Sequence, residues 1–315
     1  MTRPEWNPRQ LPDLTGRTYL VTGATKGLGF FSSEQLARAG AHVLLTGRNP
    51  NRMVAARAAL VRRVPEASVE TLLLDTSKMG SVRAAAATVR ARGGLDGLLL
   101  NAGIVHPPKK RSTQDGNELV FATNVLGHYA LAGELLPALA EARGRMVWVG
   151  SMSTSLWKYD PVDPQLKRGY SGWRAYVQSK VATTALGFEA ERRLRATGVP
   201  VQSLVAHPGY SVSGRTVGVR GVNEPTRRGR FTAQLQAVLT QSKEHGAWPL
   251  VRALVDADAS GGQFWGPRFV TQGEPRRARA APLTRSLEVG DRLWRTCEDA
   301  TGVHWPFAQA ARAAG

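Results

Sequence analysis

The sequence predicts an α/β fold built on a doubly wound parallel sheet. Three observations carry this: short, continuous apolar runs recur along the first two thirds of the chain, amphipathic stretches separate them, and a glycine-rich turn follows the first run. Strands buried on both faces read as unbroken apolar runs, and parallel neighbours need a helix-length crossover between them. Residues 18–22 (TYLVT) form the first strand, followed by helical periodicity over 31–39 with Gly40 suited to the helix end. Residues 41–46 (AHVLLT) are the second strand, 51–64 an alanine- and arginine-rich helix, 69–74 (VETLLL) the third strand and 81–91 the third helix. A fourth strand over 95–101, a long helical pattern over 118–139, a fifth strand over 145–149 (RMVWV), a helix over 173–195 and a sixth strand over 200–206 complete the series. In such a sheet, ligands bind beyond the carboxyl ends of the strands.

The chain has 315 residues, enough for one large domain that needs no staples. We expect a dinucleotide-binding and catalytic core over 1–213. The region 214–315 breaks the alternation and reads as a substrate-covering extension of the same domain, a lid. It carries Trp248, Phe264, Trp265, Phe269, Trp294, Trp305 and Phe307, which suit either a lid over a hydrophobic ligand or an extra helical layer on the core. A single cysteine, Cys297, rules out an intramolecular disulfide framework and fits a reducing, cytoplasmic setting. Residues 1–10 are polar, with Pro4 and Pro8, and lack the apolar segment of a signal peptide. No run approaches the length of a membrane span. The net charge is +18, but the basic residues are spread along the chain and are not interleaved with aromatics, so no nucleic-acid partner is expected. The histidines His106, His128, His207 and His245 show no metal-ligand spacing, so no metal is expected. The sequence leaves the oligomeric state open, a homo-oligomer included.

Between the first strand and first helix lies Thr22-Gly23-Ala24-Thr25-Lys26-Gly27-Leu28-Gly29. Its glycines allow a sharp turn and close approach to a pyrophosphate, and the helix N-terminus behind them favours negative charge. At the end of the second strand an NAD site usually places an acid on the ribose hydroxyls, whereas a 2′-phosphate needs a cation. This chain places Arg48 there, after Thr46-Gly47, and Lys26 lies in the loop. The pair favours NADP(H).

Four further features follow in order: Asn101-Ala102-Gly103 after the fourth strand, Asn124 in a helix, Ser151 after the fifth strand, and Tyr176-x3-Lys180. Together with the glycine loop, this ordered set resembles the classical short-chain dehydrogenase/reductase family over about residues 14–213, and so implies a Rossmann fold. The stretch between Ser151 and Tyr176, with Trp157, Tyr159, Asp160 and Trp173, resembles the retinol-dehydrogenase-like and protochlorophyllide-reductase-like branch. Hydride transfer to a carbonyl makes an alkoxide that must be protonated, and tyrosine, with an ordinary pKa near 10, is a poor base unless perturbed. Lys180 lies one helical turn beyond Tyr176, and its charge is expected to lower the tyrosine pKa. The resemblance also gives Lys180 the nicotinamide ribose hydroxyls. It makes Ser151 the donor to the substrate oxygen, with Ser153 the competing serine, and has Asn124 hold a relay water. It sets Asp75 at the adenine with Thr76 beside it; a turn or helix-cap role for Asp75 fits the sequence equally. It turns Pro208-Gly209 around the nicotinamide and puts Ser213 at the carboxamide.

Three departures stand out. Leu100 replaces a frequent asparagine, Trp148 stands in the fifth strand where asparagine is frequent, and the spacing from Ser151 to Tyr176 is long. None removes a catalytic group. The expected activity is NADP(H)-dependent reduction of a ketone or aldehyde, or oxidation of the alcohol, in a lipophilic small molecule. The alternatives are a reductase of a conjugated C=C bond and a non-catalytic NADP(H) sensor. The retained tyrosine–lysine pair argues against the sensor.

Overall fold

The computed structural model describes residues 6–8, 10–155 and 159–313; Trp157 lies outside the described residues. The first six strands are β1 Thr18–Val21, β2 His42–Gly47, β3 Val69–Leu73, β4 Gly97–Leu100, β5 Arg145–Val149 and β6 Gln202–Ala206, all paired in parallel. Between them run the helices α1 Gly27–Arg38, α2 Pro50–Arg63 and α3 Met79–Arg90, then a broken helical stretch, and a long helix before β6. Local chemistry sets several boundaries. Asn49 caps α2, its side chain accepting the Arg52 N–H at 3.0 Å, with Pro50 opening the helix. Gly40, at φ +89°, turns the chain out of α1 into β2.

The expected single helix over 118–139 is four pieces: α4 Leu119–Phe121, a π-helical turn Ala122–Leu126, α5 Gly127–Glu134 and α6 Leu136–Glu141. Pro137 in the first turn of α6 cannot donate to the preceding turn and so separates α5 from α6. The π turn contains Asn124, consistent with the tendency of such turns to lie at functional positions. The next helix, α7 Gly172–Ala196, is capped by Ser171, which accepts from the Arg174 N–H at 3.2 Å.

The strand order is β3-β2-β1-β4-β5-β6-β7-β8, where β7 Phe264–Pro267 continues in parallel and β8 Pro275–Arg277 closes the edge antiparallel. The order reverses between β1 and β4, so the connections leaving their carboxyl ends run to opposite faces of the sheet and open a crevice. Alternate strand residues face opposite layers. Leu20, Leu98, Leu100, Met146 and Trp148 pack with the layer of α3, α5 and α7. Tyr19, Val21, Leu99, Val147 and Val149 pack with the layer of α1 and α2.

Most of the expected lid is structural. Beyond β6 come α8 Arg227–Leu235, α9 Lys243–Val255, α10 Leu287–Thr301 and α11 Phe307–Ala313. Helix α9 packs on α1, α10 on α7 and α11 on α6. Trp294 and Trp305 are buried against Tyr129, with ring centroids 5.0 and 5.7 Å from it, and Phe264 and Trp265 lie in β7. These aromatics complete the core because helices placed beyond the sheet edge need an apolar face to bury. Phe269 alone of the seven is exposed.

Trp148 is accommodated by its neighbours. Its Nε1 donates to Ser203 Oγ at 3.0 Å, and Gly187 of α7 lies beneath the ring, where a Cβ would stand 3.0 Å from Trp148 Cδ1. Gly187→Val should therefore lower the urea midpoint of unfolding by crowding Trp148 and Val205, with a cost of about 1–3 kcal/mol. An unchanged midpoint would show that α7 shifts freely over β5.

Candidate active site

The crevice at the carboxyl ends of β1, β4 and β5 holds a cleft of about 1180 Å³. Gly23, Thr25, Lys26, Gly27, Leu28, Arg48, Asp75, Thr76, Asn101, Ala102, Gly103, Ser151, Tyr176, Lys180, Pro208, Gly209 and Ser213 all line it. Gly29 and Asn124 do not, and each acts from behind the wall.

The glycine loop is built for close approach. Gly23 and Gly27 take φ +64° and +60°. A Cβ on Gly29 would lie 2.6 Å from both Asn101 Nδ2 and the Gly23 carbonyl oxygen, so this glycine lets α1 begin directly beneath β4. This is why the helix starts at Gly27, four residues before the expected onset at Phe31. Asn101 Nδ2 donates to the Thr22 carbonyl at 2.8 Å and locks the loop to the end of β4.

Asn124 is fully engaged in clamping two elements. Its Oδ1 accepts the Ile104 N–H at 2.8 Å, and its Nδ2 donates to the Ile104 carbonyl at 3.1 Å and to Ser179 Oγ at 2.9 Å. Both amide hydrogens thus have protein acceptors. Asp75 likewise shows its turn role: its carboxylate accepts from the Ser77 hydroxyl at 2.7 Å while it faces the cleft.

Ser151, Tyr176 and Lys180 converge on one side of the cleft. The Tyr176 hydroxyl stands 3.5 Å from Ser151 Oγ. Ser153 donates to the same oxygen from its hydroxyl at 2.9 Å and from its backbone N–H at 3.2 Å. With those donors in place, the Ser151 hydrogen can point into the cleft, and Ser153 is the residue that orients it. Lys180 Nζ donates to the Val149 carbonyl at 2.7 Å and lies 5.9 Å from the Tyr176 ring centroid. Burial pushes the Lys180 ammonium down to about 8. Burial also raises the Tyr176 phenol, and the Ser151 hydrogen bond only partly opposes it. The expected lowering of the tyrosine by Lys180 is therefore overturned: desolvation dominates, and the ammonium is turned toward a backbone carbonyl.

Two residues were missed in the sequence. Lys243, the first residue of α9, donates from Nζ to Ser213 Oγ at 2.7 Å and lies within 3.6 Å of where a Gly27 Cβ would be. Burial lowers its pKa, and Lys26 lowers it further. No motif marks it, because it arrives from a distant helix. His128 is the second, fully buried one turn beyond Asn124. Its Nδ1 faces the Asn124 carbonyl at 3.0 Å, which can only accept, so the proton sits on Nδ1. Nε2 then accepts from the Thr22 hydroxyl at 3.0 Å. Burial, with Lys180 nearby, holds His128 down to about 3, so the ring is neutral.

The glycine cradle, the cation-lined crevice and the Ser–Tyr–Lys cluster define an oxidoreductase of the nicotinamide-dependent class. A family model described as short chain dehydrogenase matches residues 17–218. The chain belongs to the short-chain dehydrogenase/reductase family. It is 35% identical over 300 residues to a polyprenol dehydrogenase of Mus musculus, covering 93% of this chain and 86% of that one. It is 32% identical over 301 residues to retinol dehydrogenase 13 of Homo sapiens, covering 93% and 87%. A crystal structure of an uncharacterized protein from Mycobacterium Paratuberculosis superposes with a TM-score of 0.78 at 32% identity, over 96% of this chain and 99% of that one. A solved structure assigned provisionally as an NAD(P) dependent gluconate 5-dehydrogenase from Beutenbergia cavernae, with NADP bound at low occupancy, gives 0.61 at 25% identity, over 81% and 96%.

The neutral histidines make stability pH-dependent. His128 is held at about 3 and His207, buried against Phe264, at about 4, against an ordinary 6.5. Both values are depressed, so the unfolded chain binds more protons, and stability present above 6.5 is lost as pH falls toward the folded values. Each should cost about 2 kcal/mol by about pH 5. His128→Asn, which keeps a donor toward the Asn124 carbonyl, should remove about half of that loss. Urea midpoints measured between about pH 7 and 5 check this, and an unchanged slope in the variant would show that His128 titrates normally.

Proposed function

We propose that the chain is an NADP(H)-dependent reductase of a ketone or aldehyde carried by a lipophilic small molecule. The observation that carries this reading is the Ser151–Tyr176 pair at 3.5 Å with the tyrosine held protonated by burial. When bound, the nicotinamide supplies the hydride. The chain's own residues bind the carbonyl oxygen and give it a proton. Ser151, oriented by Ser153, donates a hydrogen bond to that oxygen, and the Tyr176 phenol delivers the proton as negative charge develops. A raised phenol suits this direction, because at neutral pH it carries the proton that an alkoxide needs. Lys180 holds positive charge behind the tyrosine, and its ammonium, which donates to the Val149 carbonyl, has further N–H groups to donate to ribose hydroxyls.

The residues fit the dinucleotide. Gly23, Gly27 and Gly29 leave room for a pyrophosphate over the start of α1, with Lys243 and Ser213 facing it. Arg48 and Lys26, both exposed at the cleft edge, suit the 2′-phosphate. Asp75 and Thr76 flank the adenine position, Asn101, Ala102 and Gly103 the adjoining ribose, and Pro208-Gly209 the nicotinamide. The substrate end is walled by Val105, His106, Met152, Trp173 and Tyr210. His106 packs edge-on to Trp173 and Tyr176, at 4.7 and 5.4 Å between centroids. This largely apolar wall, with relatives named polyprenol dehydrogenase and retinol dehydrogenase 13, supports a lipophilic substrate.

Tyr176→Phe should abolish NADPH consumption with hydrophobic aldehydes and ketones, by about a thousandfold in kcat, while NADPH affinity by fluorescence titration stays unchanged. Retained turnover in this variant would overturn the proton-donor assignment. Arg48→Ala should weaken NADPH about tenfold and leave NADH unaffected, whereas Lys243→Met should weaken both by about tenfold. Equal binding of NADH and NADPH by the unmodified protein would overturn the NADP(H) preference.

A further inference from the structure

Helix α8 is inverted relative to an ordinary surface helix. Its one buried residue is Ala233, packed against Gly214, where a Cβ would lie 2.5 Å from the alanine Cβ. The large apolar residues point outward instead: Phe231 is 66% exposed, Leu235 72%, and in the turns that follow Val238 81% and Leu239 59%. Phe231 and Leu235, four residues apart, share one face of α8, and Val238 and Leu239 extend the exposed apolar surface beyond its end. A second apolar tip lies beside them in the turn between β7 and β8, where Phe269 and Val270 are exposed. Gln272 Nε2 donates to the Val238 carbonyl at 2.6 Å and ties that tip to the end of the helix.

The charge around this face is predominantly positive. Residues 210–240 contain five arginines, Arg215, Arg220, Arg227, Arg228 and Arg230, all exposed, against a single acid, Glu224. Arg268 lies over the Phe269 ring, 5.3 Å from its centroid. An outward apolar stripe flanked by arginines is the pattern of a helix lying in the interface of an anionic lipid layer. A two-fold pairing of the same face between copies would set like charges against each other.

We propose that α8, the turns after it and the β7–β8 tip form a docking surface for an anionic lipid bilayer. The surface adjoins the cleft. Tyr210, Ser213 and residues 222–225, which lead into α8, line the cleft mouth, and Asn223 holds this loop through bonds to the carbonyls of Ser213, Thr216 and Val217. A lipophilic compound could then pass from the bilayer to the cleft without crossing bulk water. That consequence rests on the lipophilic-substrate reading, whereas docking itself does not.

The test is co-sedimentation of the full chain with vesicles of phosphatidylcholine alone or with phosphatidylglycerol added, at low and high salt. Binding to the anionic vesicles, weakened by salt, is expected. It should fall about tenfold or more in Phe231→Ser/Leu235→Ser/Val238→Ser and in Arg227→Glu/Arg228→Glu. These exposed positions leave NADPH binding as the check on folding. No binding to anionic vesicles, or binding that both variants retain, would overturn the proposal. So would sedimentation velocity showing a dimer that the serine variant dissolves, which would make the face a contact between copies. Vesicle binding is read without turnover, so failure to reduce any carbonyl would sink the catalytic reading and leave this one standing.

Discussion

The site hangs on a three-residue hydrogen-bond chain at the point where β1 and β4 part. The Thr22 oxygen accepts the backbone N–H groups of Asn101 at 2.7 Å and Ala102 at 2.9 Å, so its own hydrogen must go elsewhere. Its acceptors are His128 Nε2 at 3.0 Å and the Leu99 carbonyl at 3.2 Å, and His128 passes a hydrogen from Nδ1 to the carbonyl of Asn124. The glycine loop, the end of β4 and the π turn are thereby fixed to one another through a ring that must stay neutral. A second proton on His128 would face an oxygen that already accepts twice. Burial holds the histidine neutral in that position.

From that fixed point the walls follow by close contact. Gly127 sits where a Cβ would be 1.9 Å from the Thr76 carbonyl, so α5 runs directly against the turn after β3. Gly103 faces Asn124 Oδ1, where a Cβ would lie 3.3 Å away. Asn124 in turn bonds to Ser179, whose hydroxyl donates to the Tyr176 carbonyl at 2.7 Å. The position of the tyrosine is therefore set from the same π turn that the histidine anchors. A continuous run of hydrogen bonds thus links Thr22 and His128 to the backbone of Tyr176.

Local pattern made much of this legible in the sequence. The apolar runs that became β1, β2, β4, β5 and β6 are largely buried on both faces, with β3 half-buried at the sheet edge, and the glycine loop, Ser151, Tyr176 and Lys180 fell on the elements expected for them. What escaped depends on partners distant in the chain. The π turn looks helical in sequence because its residues keep helical spacing while one hydrogen bond shifts. Strands β7 and β8 are four and three residues long, too short to show a strand period of their own. Lys243 reaches the glycine loop from more than two hundred residues away, and the aromatics of 264–307 carry no mark that separates a lid from a core layer. The tyrosine pKa was misjudged for a related reason: one helical turn places Lys180 near Tyr176, but Val149 decides where its ammonium points.

The charges around the cleft bear on what fills it. Lys180 and Lys243 both lose basicity to burial, and Lys243 loses more to the neighbouring Lys26. Among the described residues no carboxylate is paired with either ammonium: Lys180 donates to a carbonyl and Lys243 to a serine. Buried cations without an acid are costly, and an anion placed among them would restore their pKa values and recover that cost as affinity. A pyrophosphate over Gly27 would meet Lys243, and a 2′-phosphate near Arg48 and Lys26 would complete the neutralisation. The same reasoning limits the overall charge as an argument. A chain of +18 says little about any one ligand, whereas a desolvated Lys243 facing the glycine cradle calls for an anion at that place. The proposed dinucleotide is thus supported by the energetics of the unpaired lysines as well as by the space that the glycines leave.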